Sequence, residues 1–468
     1  MPDRRRYKQP GVPVTGSSAN FRSHDDEPLE PLCGWGRYPV VQGKQRLSED
    51  LEAASRGARL SRGLGRSYGD ASLPAPGGQV VVATELADRI LSFDDATGVL
   101  RAEAGFTLAD LNRIFLPRGW ASPVSPGTQY VTLGGMVASD VHGKNHHVAG
   151  CFGKYVRALR MRLADGRVLE VTEPSEPELF RATIGGMGLT GHILEVAVEL
   201  ERIPSPWVWR ESERVGDLES LVSKLRTDSR SWPFTMSWVD CLRAGRGMGR
   251  GIVMRGRWAT PEEAPAQPPT MGTRLAVPFD LPAWVLGRSS VKLFNFAYFH
   301  AHGRAARRGV VHPQSFFYPL DAIRHWNRLY GKRGFTQYQC VLPVSDDGAA
   351  YHDLFTVLSR RGGASFLSVV KDCGAEGKGM LSFPRPGISV ALDLPMQGAR
   401  TQALVDELNE VVIAAGGRVY LAKDALTRPA HLRAMEPRLE AWNAVRKRWD
   451  PNGKLASALS HRLLGDVS

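Results

Sequence analysis

The sequence predicts an α+β protein of two domains, on the evidence of its length and of its uneven distribution of glycine and aromatic residues. The chain has 468 residues, more than a single hydrophobic core usually organises. Three glycine-rich segments fall between residues 62 and 191, among short strand and helix patterns. Residues 204–417 are richer in aromatic side chains, most of which we expect to be core. A domain built around glycine loops at residues 31–203 is therefore expected to precede a second domain.

The first glycine-rich segment does not fit the common nucleotide-binding patterns. Residues 62–70 read Arg-Gly-Leu-Gly-Arg-Ser-Tyr-Gly-Asp. A Rossmann turn needs its third glycine where Tyr68 stands, and a Walker loop needs a terminal Gly-Lys-Ser/Thr that is absent. The pattern that remains indicates a turn whose backbone N–H groups can close on an anion.

Two further glycine-rich segments follow. Residues 125–147 place Gly134 and Gly135 between Thr132 and His142. Residues 183–191 read Thr-Ile-Gly-Gly-Met-Gly-Leu-Thr-Gly and lead into residues 192–200, whose alternation predicts a strand with one buried face. Three such loops in one half of the chain would let the backbone approach a long polyanionic ligand, such as a dinucleotide cofactor.

The order of these segments resembles the FAD-binding domain of the vanillyl-alcohol-oxidase superfamily. Within it, residues 63–70 and the Asp-Val-His-Gly-Lys-Asn-His-His run at 140–147 look like the decaprenylphosphoryl-β-D-ribose 2′-oxidase family, the flavin subunits of a ribose-to-arabinose epimerase. The likeness covers nearly the whole chain after residue 30. It continues at residues 34–37, 335–343, 382–384, 420–424 and 450–453.

The resemblance implies a PCMH-type FAD-binding fold with an inserted antiparallel-sheet substrate domain. The expected divisions are a disordered N-terminus at 1–30, an FAD-binding domain at 31–203, a substrate-binding domain at 204–417 and a return to the FAD-binding domain at 418–468. The implied reaction is FAD-dependent oxidation of the 2′-hydroxyl of a polyprenylphosphoryl-β-D-ribose to the 2′-keto sugar. This is the first half of an epimerisation to the arabinose form for cell-envelope polysaccharide, and it implies a separate short-chain reductase as partner.

The resemblance also carries over a set of cofactor-binding positions, most of them in the three loops. They are Arg62, Gly63, Leu64, Gly65, Arg66, Ser67, Tyr68, Gly69, Gly127, Thr132, Gly134, Gly135, Ser139, His142, Gly143, Asn145, Ile193 and Tyr420. Arg66 stands where superfamily relatives that tether FAD covalently often carry histidine. Arginine cannot form that bond, whereas its guanidinium suits a pyrophosphate, so we predict non-covalent FAD.

Removing hydride from a secondary alcohol needs an acceptor, a group that takes the hydroxyl proton, and a positioned substrate carbon. By resemblance, Tyr68, His142, Tyr420 and Lys423 line the isoalloxazine and the sugar. Lys423 is the first choice for the residue that bridges them, although it could also be a surface ion-pair partner of Asp424. The sequence leaves the base open among Lys423, His142 and Tyr68.

For the substrate, the resemblance nominates residues whose side chains suit sugar hydroxyls and a phosphate. They are Trp238, Gln339, Lys371, Ser389, Ala391 and Lys423. Two of these positions depart from the family pattern. Ala391 stands where mycobacterial relatives carry cysteine, and Ser389 replaces a family asparagine. If the activity is shared, that cysteine cannot be required for it.

Two other functions stay open at this point: an FAD-linked oxidase of free sugars, alditols or aldonolactones, and a non-catalytic flavoprotein or partner-binding subunit. A metal site at His142, His146 and His147 is not expected, because no third ligand or His-Glu-x-x-His pattern accompanies them.

The net charge of +12 has two interpretations. It could form a basic surface that binds lipid phosphates or a membrane face, or it could consist of ordinary solvated arginines. No nucleic-acid-binding pattern accompanies the charge. We predict a cytoplasmic enzyme with reduced thiols, because the five cysteines are scattered and the sequence has neither a long apolar run nor an apolar h-region. Peripheral membrane contact is an open hypothesis.

Overall fold

The computed structural model describes residues 27–466 except 274, 304, 345–347 and 363–365. The fold is α+β, as predicted, and its sheets fall into two groups. The first group, from residues 29–202, comprises a four-stranded mixed sheet, a five-stranded antiparallel sheet and a two-stranded pair. The second is an eight-stranded antiparallel sheet, with a short parallel pair beside it.

The four-stranded sheet has the order β1-β2-β4-β3 and consists of β1 (Leu29–Cys33), β2 (Val40–Leu47), β3 (Leu60–Arg62) and β4 (Val80–Ala83). The five-stranded sheet has the order β5-β6-β10-β8-β9 and consists of β5 (Ile90–Asp94), β6 (Val99–Glu103), β8 (Val156–Arg162), β9 (Val168–Thr172) and β10 (His192–Glu199). The pair is β7 (Trp120–Ala121) with β11 (Glu201–Arg202). The predicted strand at 192–200 is thus confirmed as β10.

The eight-stranded sheet has the order β16-β12-β14-β13-β19-β20-β18-β21. Its strands are β12 (Val208–Val215), β13 (Phe234–Val239), β14 (Gly251–Trp258), β16 (Arg307–Val311), β18 (Phe335–Leu342), β19 (Ser368–Cys373), β20 (Gly387–Pro395) and β21 (Arg418–Val419). The parallel pair is β15 (Leu275–Ala276) with β17 (Ile323–Arg324).

Thirteen α-helices are found in the described part of the chain. They are α1 (Leu51–Ala54), α2 (Leu108–Phe115), α3 (Leu133–Ala138), α4 (His146–Ala149), α5 (Pro177–Thr183), α6 (Leu218–Asp228), α7 (Arg288–Ala301), α8 (Pro313–Phe317), α9 (Ala349–Arg361), α10 (Ala399–Ala414), α11 (Pro429–Met435), α12 (Leu439–Trp449) and α13 (Ala458–Leu464).

The two faces of the eight-stranded sheet differ because side chains alternate along a strand. On β18, Tyr338, Cys340 and Leu342 point to a core that α6, α9 and α10 complete. Gln337 and Gln339 point to the other face, where they are buried as well. A buried strand that carries glutamines on one face needs polar partners there. That face is therefore the floor of a polar site.

The C-terminal segment returns to the first group of sheets. Helix α12 packs against α5, and the Trp442 indole Nε1 donates to the carbonyl of Ala182 at 2.9 Å. Strand β21 begins at Arg418, so the eight-stranded sheet extends into the segment that we assigned to the return. The domain boundaries themselves stay a prediction.

The predicted disorder at the N-terminus is wrong for its last residues. Residues 1–26 lie outside the described residues. Leu29 and Glu30 belong to β1, which pairs with β2, and Glu27 forms an ion pair with Arg46 at 2.7 Å. Paired backbone and a partly buried ion pair hold this segment in place.

Candidate active site

A cleft of about 300 Å³ lies between the glycine-rich loops and the polar face of the eight-stranded sheet. Most of the predicted site residues line it. They are Gly63, Leu64, Gly65, Arg66, Ser67, Tyr68, Gly127, Thr132, Gly135, Ser139, His142, Gly143, Gln339, Lys371, Ala391, Tyr420 and Lys423.

Seven predicted site residues do not line the cleft: Arg62, Gly69, Gly134, Asn145, Ile193, Trp238 and Ser389. Two of them support the loops. Arg62 donates to the carbonyls of Cys33 and Ser72 and to the Ser72 hydroxyl, and Asn145 donates to the Pro123 carbonyl.

The other five lie in packed interior. Gly69 and Gly134 pack against backbone or a core methyl, and Ile193 is buried in β10. Trp238 lies under α7, where its indole donates to the Phe366 carbonyl at 2.8 Å. Ser389 is fully buried and accepts from Gln339 at 3.1 Å.

The loop that carries Tyr68 can form only with glycine at its close contacts. A Cβ on Gly69 would lie 1.8 Å from the carbonyl oxygen of Asp424, and one on Gly63 would lie 2.4 Å from Thr132 Oγ1. Thr132 in turn caps α3, since its hydroxyl accepts from the Gly135 N–H at 3.2 Å. The first two loops therefore meet where the Gly63 backbone packs against the Thr132 side chain.

Arg66 reaches into the cleft between two aromatic rings. Its guanidinium carbon lies 4.0 Å from the Trp35 ring centroid and 5.2 Å from that of Tyr130. Its Nε is buried and has no hydrogen-bond partner. A buried cationic donor left without an acceptor fits an anionic group such as a pyrophosphate.

His142 presents a second unpartnered polar atom. The Gln339 amide donates to His142 Nε2 at 2.9 Å, so the ring proton sits on Nδ1. Burial lowers the pKa of His142 well below its usual value, with Lys371 adding repulsion, and the ring is neutral. Nδ1 is buried without a partner and is therefore a donor available to a ligand.

Three lysines surround the cleft. Burial lowers the pKa of Lys144 to about 7, that of Lys423 to about 7, and that of Lys371 below its usual value. Among the described residues, none of these amines forms an ion pair with a carboxylate within 4.0 Å. Lys144 instead donates to the Phe317 carbonyl at 2.9 Å. None of the three amines therefore has a carboxylate in the described protein that holds its proton, and an anionic ligand would stabilise the charged form of each.

Lys423 lies against Tyr68, with its Nζ 3.9 Å from the ring centroid. Burial raises the pKa of the Tyr68 phenol well above its usual value, so the phenol stays protonated. The surface ion pair with Asp424 that the sequence left open is not formed, because Asp424 pairs with Arg462 at 2.8 Å. Lys423 is instead a buried amine at the cleft.

The histidine run does not gather metal ligands. His146 Nδ1 accepts from the Gly374 N–H at 3.1 Å, and His147 Nε2 bonds the Trp232 carbonyl at 2.8 Å. Within the described residues, no group of three or more His, Cys, Asp or Glu could hold a metal ion.

Comparison with known proteins agrees with this geometry. Residues 49–172 match the FAD binding domain family, and residues 388–463 match the D-arabinono-1,4-lactone oxidase family. The chain is 34% identical to decaprenylphosphoryl-β-D-ribose oxidase of Mycolicibacterium smegmatis over 92% of this chain and 97% of the relative. The chain belongs to the decaprenylphosphoryl-β-D-ribose oxidase family.

Two other relatives mark the breadth of the match. An uncharacterized protein in the mprA 5′ region of Streptomyces coelicolor is 34% identical over 76% of this chain and 99% of its own length. A putative D-arabinono-1,4-lactone oxidase of Neurospora crassa is 30% identical over 23% of this chain and 19% of its own length. Of these three relatives, the decaprenylphosphoryl-β-D-ribose oxidase matches the largest share of this chain.

The protein is an FAD-dependent oxidoreductase, and its cleft fits that cofactor. Arg66 Nε and His142 Nδ1 offer unpaired donors, and the glycine loops leave no room for a Cβ where they approach one another. In the described part of the chain, no helix is long and apolar enough to cross a membrane.

Several cleft residues were missed from sequence. Asp321 accepts from the Thr128 hydroxyl and the Gln129 N–H at 2.8 Å each, which ties the segment after α8 to the second glycine-rich segment. Asp393 lies behind the cleft lining, where it accepts from the cleft residue Gln337 at 2.6 Å and from Tyr330 at 2.9 Å. Lys144 lies within the histidine run quoted above, and the polar–apolar alternation of residues 337–340 was a usable signal for Gln337. No local pattern marks the two aspartates.

Proposed function

We propose that the protein oxidises the 2′-hydroxyl of a polyprenylphosphoryl-β-D-ribose to the 2′-keto sugar. The observation that carries this proposal is that Lys144 and Lys371, two lysines of the cleft, have no carboxylate partner among the described residues, because a substrate with a phosphodiester supplies a negative charge there. Lys371, on β19 beside Ser389 and Gln339, is the residue that we assign to the phosphate. Whole-length similarity to a protein named for this substrate supports the same choice.

Bound FAD supplies the hydride acceptor. The protein supplies the proton acceptor, for which Lys423 is our assignment, since burial lowers its pKa to about 7 and leaves a neutral amine near neutral pH. Tyr68 keeps its proton, and His142 Nε2 is already engaged by Gln339. Of the three candidates that the sequence left open, Lys423 therefore suits the role of base best, while His142 Nδ1–H is a donor that orients a bound group.

The reaction would leave a keto sugar, so a separate reductase is the proposed partner that completes epimerisation to the arabinose form. The proposed setting is the cytoplasm, with contact to a membrane that holds the lipid-linked substrate. Supply of arabinose units for cell-envelope polysaccharide is the proposed role.

The test is anaerobic bleaching of the flavin of the purified protein. We expect polyprenylphosphoryl-ribose to bleach it, and free ribose, xylitol and a galactonolactone to leave it oxidised. Bleaching by the free sugars or the lactone would refute the proposal in favour of a general carbohydrate oxidase, the alternative that the match at residues 388–463 favours.

The cofactor linkage has its own measurement. Since Arg66 cannot form a histidyl bond, acid precipitation should release yellow flavin into the supernatant. Flavin retained in the pellet would contradict non-covalent binding.

A further inference from the structure

Helix α7 turns large apolar side chains towards solvent. Leu293 is 70% exposed, Phe296 53% and Phe294 43%. A surface helix normally buries such residues, and a contiguous exposed apolar face commonly marks a site of interaction. We call Leu293, Phe294 and Phe296 the α7 patch.

The opposite side of the helix is firmly held, so the patch is a fixed feature of the fold. Asn295 Nδ2 is buried and donates to Asp240 at 2.8 Å. Phe299 packs in one cluster with Trp238 and Ile252 on the eight-stranded sheet. Rotating α7 to bury the patch would break these contacts.

Positive charge surrounds the patch. Lys292 is exposed on α7 itself, and Arg307 is exposed on the edge strand β16. Arg307 donates to the Ala301 carbonyl, which places the strand at the C-terminal end of α7. No Asp or Glu occurs in the sequence between Asp280 and Asp321. An apolar face with cationic residues on its own helix and on the neighbouring edge strand, and with no acidic residue on either element, matches the interfacial layer of a bilayer that contains anionic lipid.

The patch is continuous with the cleft. Leu367 lines the cleft, and the ring of the adjacent Phe366 lies 5.2 Å from that of Phe294 and 6.4 Å from that of Tyr330. An apolar path therefore runs from the cleft to the solvent face of α7. A long isoprenoid chain attached to a sugar phosphate in the cleft has its apolar exit there.

We propose that the α7 patch docks the protein on an anionic phospholipid bilayer and aims the cleft at it. The lipid-linked substrate then enters from the bilayer with its isoprenoid chain along Phe366 and Phe294. The orientation rests on the proposed function, whereas docking does not, and vesicle binding tests docking without any substrate.

The experiment is flotation of the holoenzyme with vesicles of phosphatidylcholine alone and with one third phosphatidylglycerol. The variants are Leu293→Glu/Phe296→Glu on the patch and Lys292→Glu/Arg307→Glu on its rim. The matched control is Val40→Glu/Leu91→Glu, which places the same charges at apolar residues 58% and 45% exposed on β2 and β5.

We expect wild type and control to float with the anionic vesicles, and both α7-region variants to lose at least tenfold of the bound fraction. The patch variant should still bleach with a short-chain, detergent-soluble prenylphosphoryl-ribose. Equal flotation of the patch variant, or no flotation of wild type, would overturn the proposal. So would a wild-type dimer that the patch variant converts to monomer, because the patch would then face a second copy. If wild type floats but no prenylphosphoryl-ribose bleaches the flavin, the proposed function fails and docking stands.

Discussion

The cleft has two walls, one formed by the glycine-rich loops and one by the eight-stranded sheet, and they differ in whether backbone or side chains form the surface. The loop wall consists of backbone held at distances that exclude a Cβ, as at Gly63 and Gly69. The sheet wall consists of side chains from alternate positions of β18, β19 and β20, among them Gln339, Lys371 and Ala391. Side chains on a sheet face can be exchanged without a change of register, whereas interlocked backbone cannot. The two departures that the sequence resemblance indicates, at Ser389 and Ala391, both fall on this sheet.

The comparison predicts its largest effect at Gly69. A Cβ at Gly69 would lie 1.8 Å from Asp424 O, so Gly69→Ala must displace backbone and should cost roughly 3–5 kcal/mol of stability. Thermal unfolding and the flavin absorbance per protein measure the loss. Gly216→Ala is the control, since a Cβ there meets nothing within 4 Å and Gly216 lies outside the cleft lining. Equal melting temperatures for the two variants would show that the loop wall is not rigid.

The next effect is chemical. Lys423→Met keeps the volume of the buried side chain but removes the amine, so the rate constant of anaerobic flavin reduction should fall about 10²–10⁴-fold while FAD stays bound. Stopped-flow absorbance measures it. Lys378→Met, at a lysine paired with Glu173, should behave as wild type. Reduction by Lys423→Met within a factor of three of wild type would remove Lys423 from the mechanism.

A pH profile sharpens that assignment. Because burial lowers the Lys423 pKa to about 7, kcat/KM should rise about tenfold per pH unit below pH 7 and level off above it, as the amine becomes neutral. Asp393 titrates in the same range, since burial raises its pKa to about 7, and its negative charge raises the Lys423 pKa. In Asp393→Asn the limb should therefore move to lower pH. If the rise of kcat/KM below pH 7 disappears in Asp393→Asn, the titrating group is the Asp393 carboxyl and not the Lys423 amine.

The smallest effect is expected in the sheet wall. Ala391 pairs with Gln339 and Val369 and lines the cleft, so Ala391→Cys should change kcat/KM less than about threefold. A thiol-directed reagent should add one modification to this variant in intact-mass spectra, and the labelled variant should lose activity. Bound substrate should prevent both the labelling and the loss of activity. A large change in turnover before labelling would show that the sheet wall is as constrained as the loop wall.

The sequence predicted the loop wall better than the sheet wall. Glycines, Arg66 and His142 stand in contiguous motifs, whose chemistry can be read without knowing the tertiary structure. Trp238 does not line the cleft, because α7 covers that end of the sheet. Ser389 does not line it either, because it lies beneath Gln339. Asp321 and Asp393 were missed because each acts on residues distant in sequence, such as Gln129 and Gln337. Such pairings depend on strand register and domain contact, which single-sequence patterns do not specify.

The closure of the Tyr68 loop has a consequence for how the protein is made. The Tyr68 N–H donates to the Ala422 carbonyl at 3.1 Å, and Arg462 holds both Asp70 and Asp424. A ribosome delivers these partners more than 350 residues after the loop itself, as the separation of 392 positions between Asp70 and Arg462 shows. During synthesis, the Tyr68 loop therefore lacks these partners until the C-terminal segment has been made, and we expect it to retain a flavin only after that. A chain that stops after Gly417 should accordingly emerge colourless.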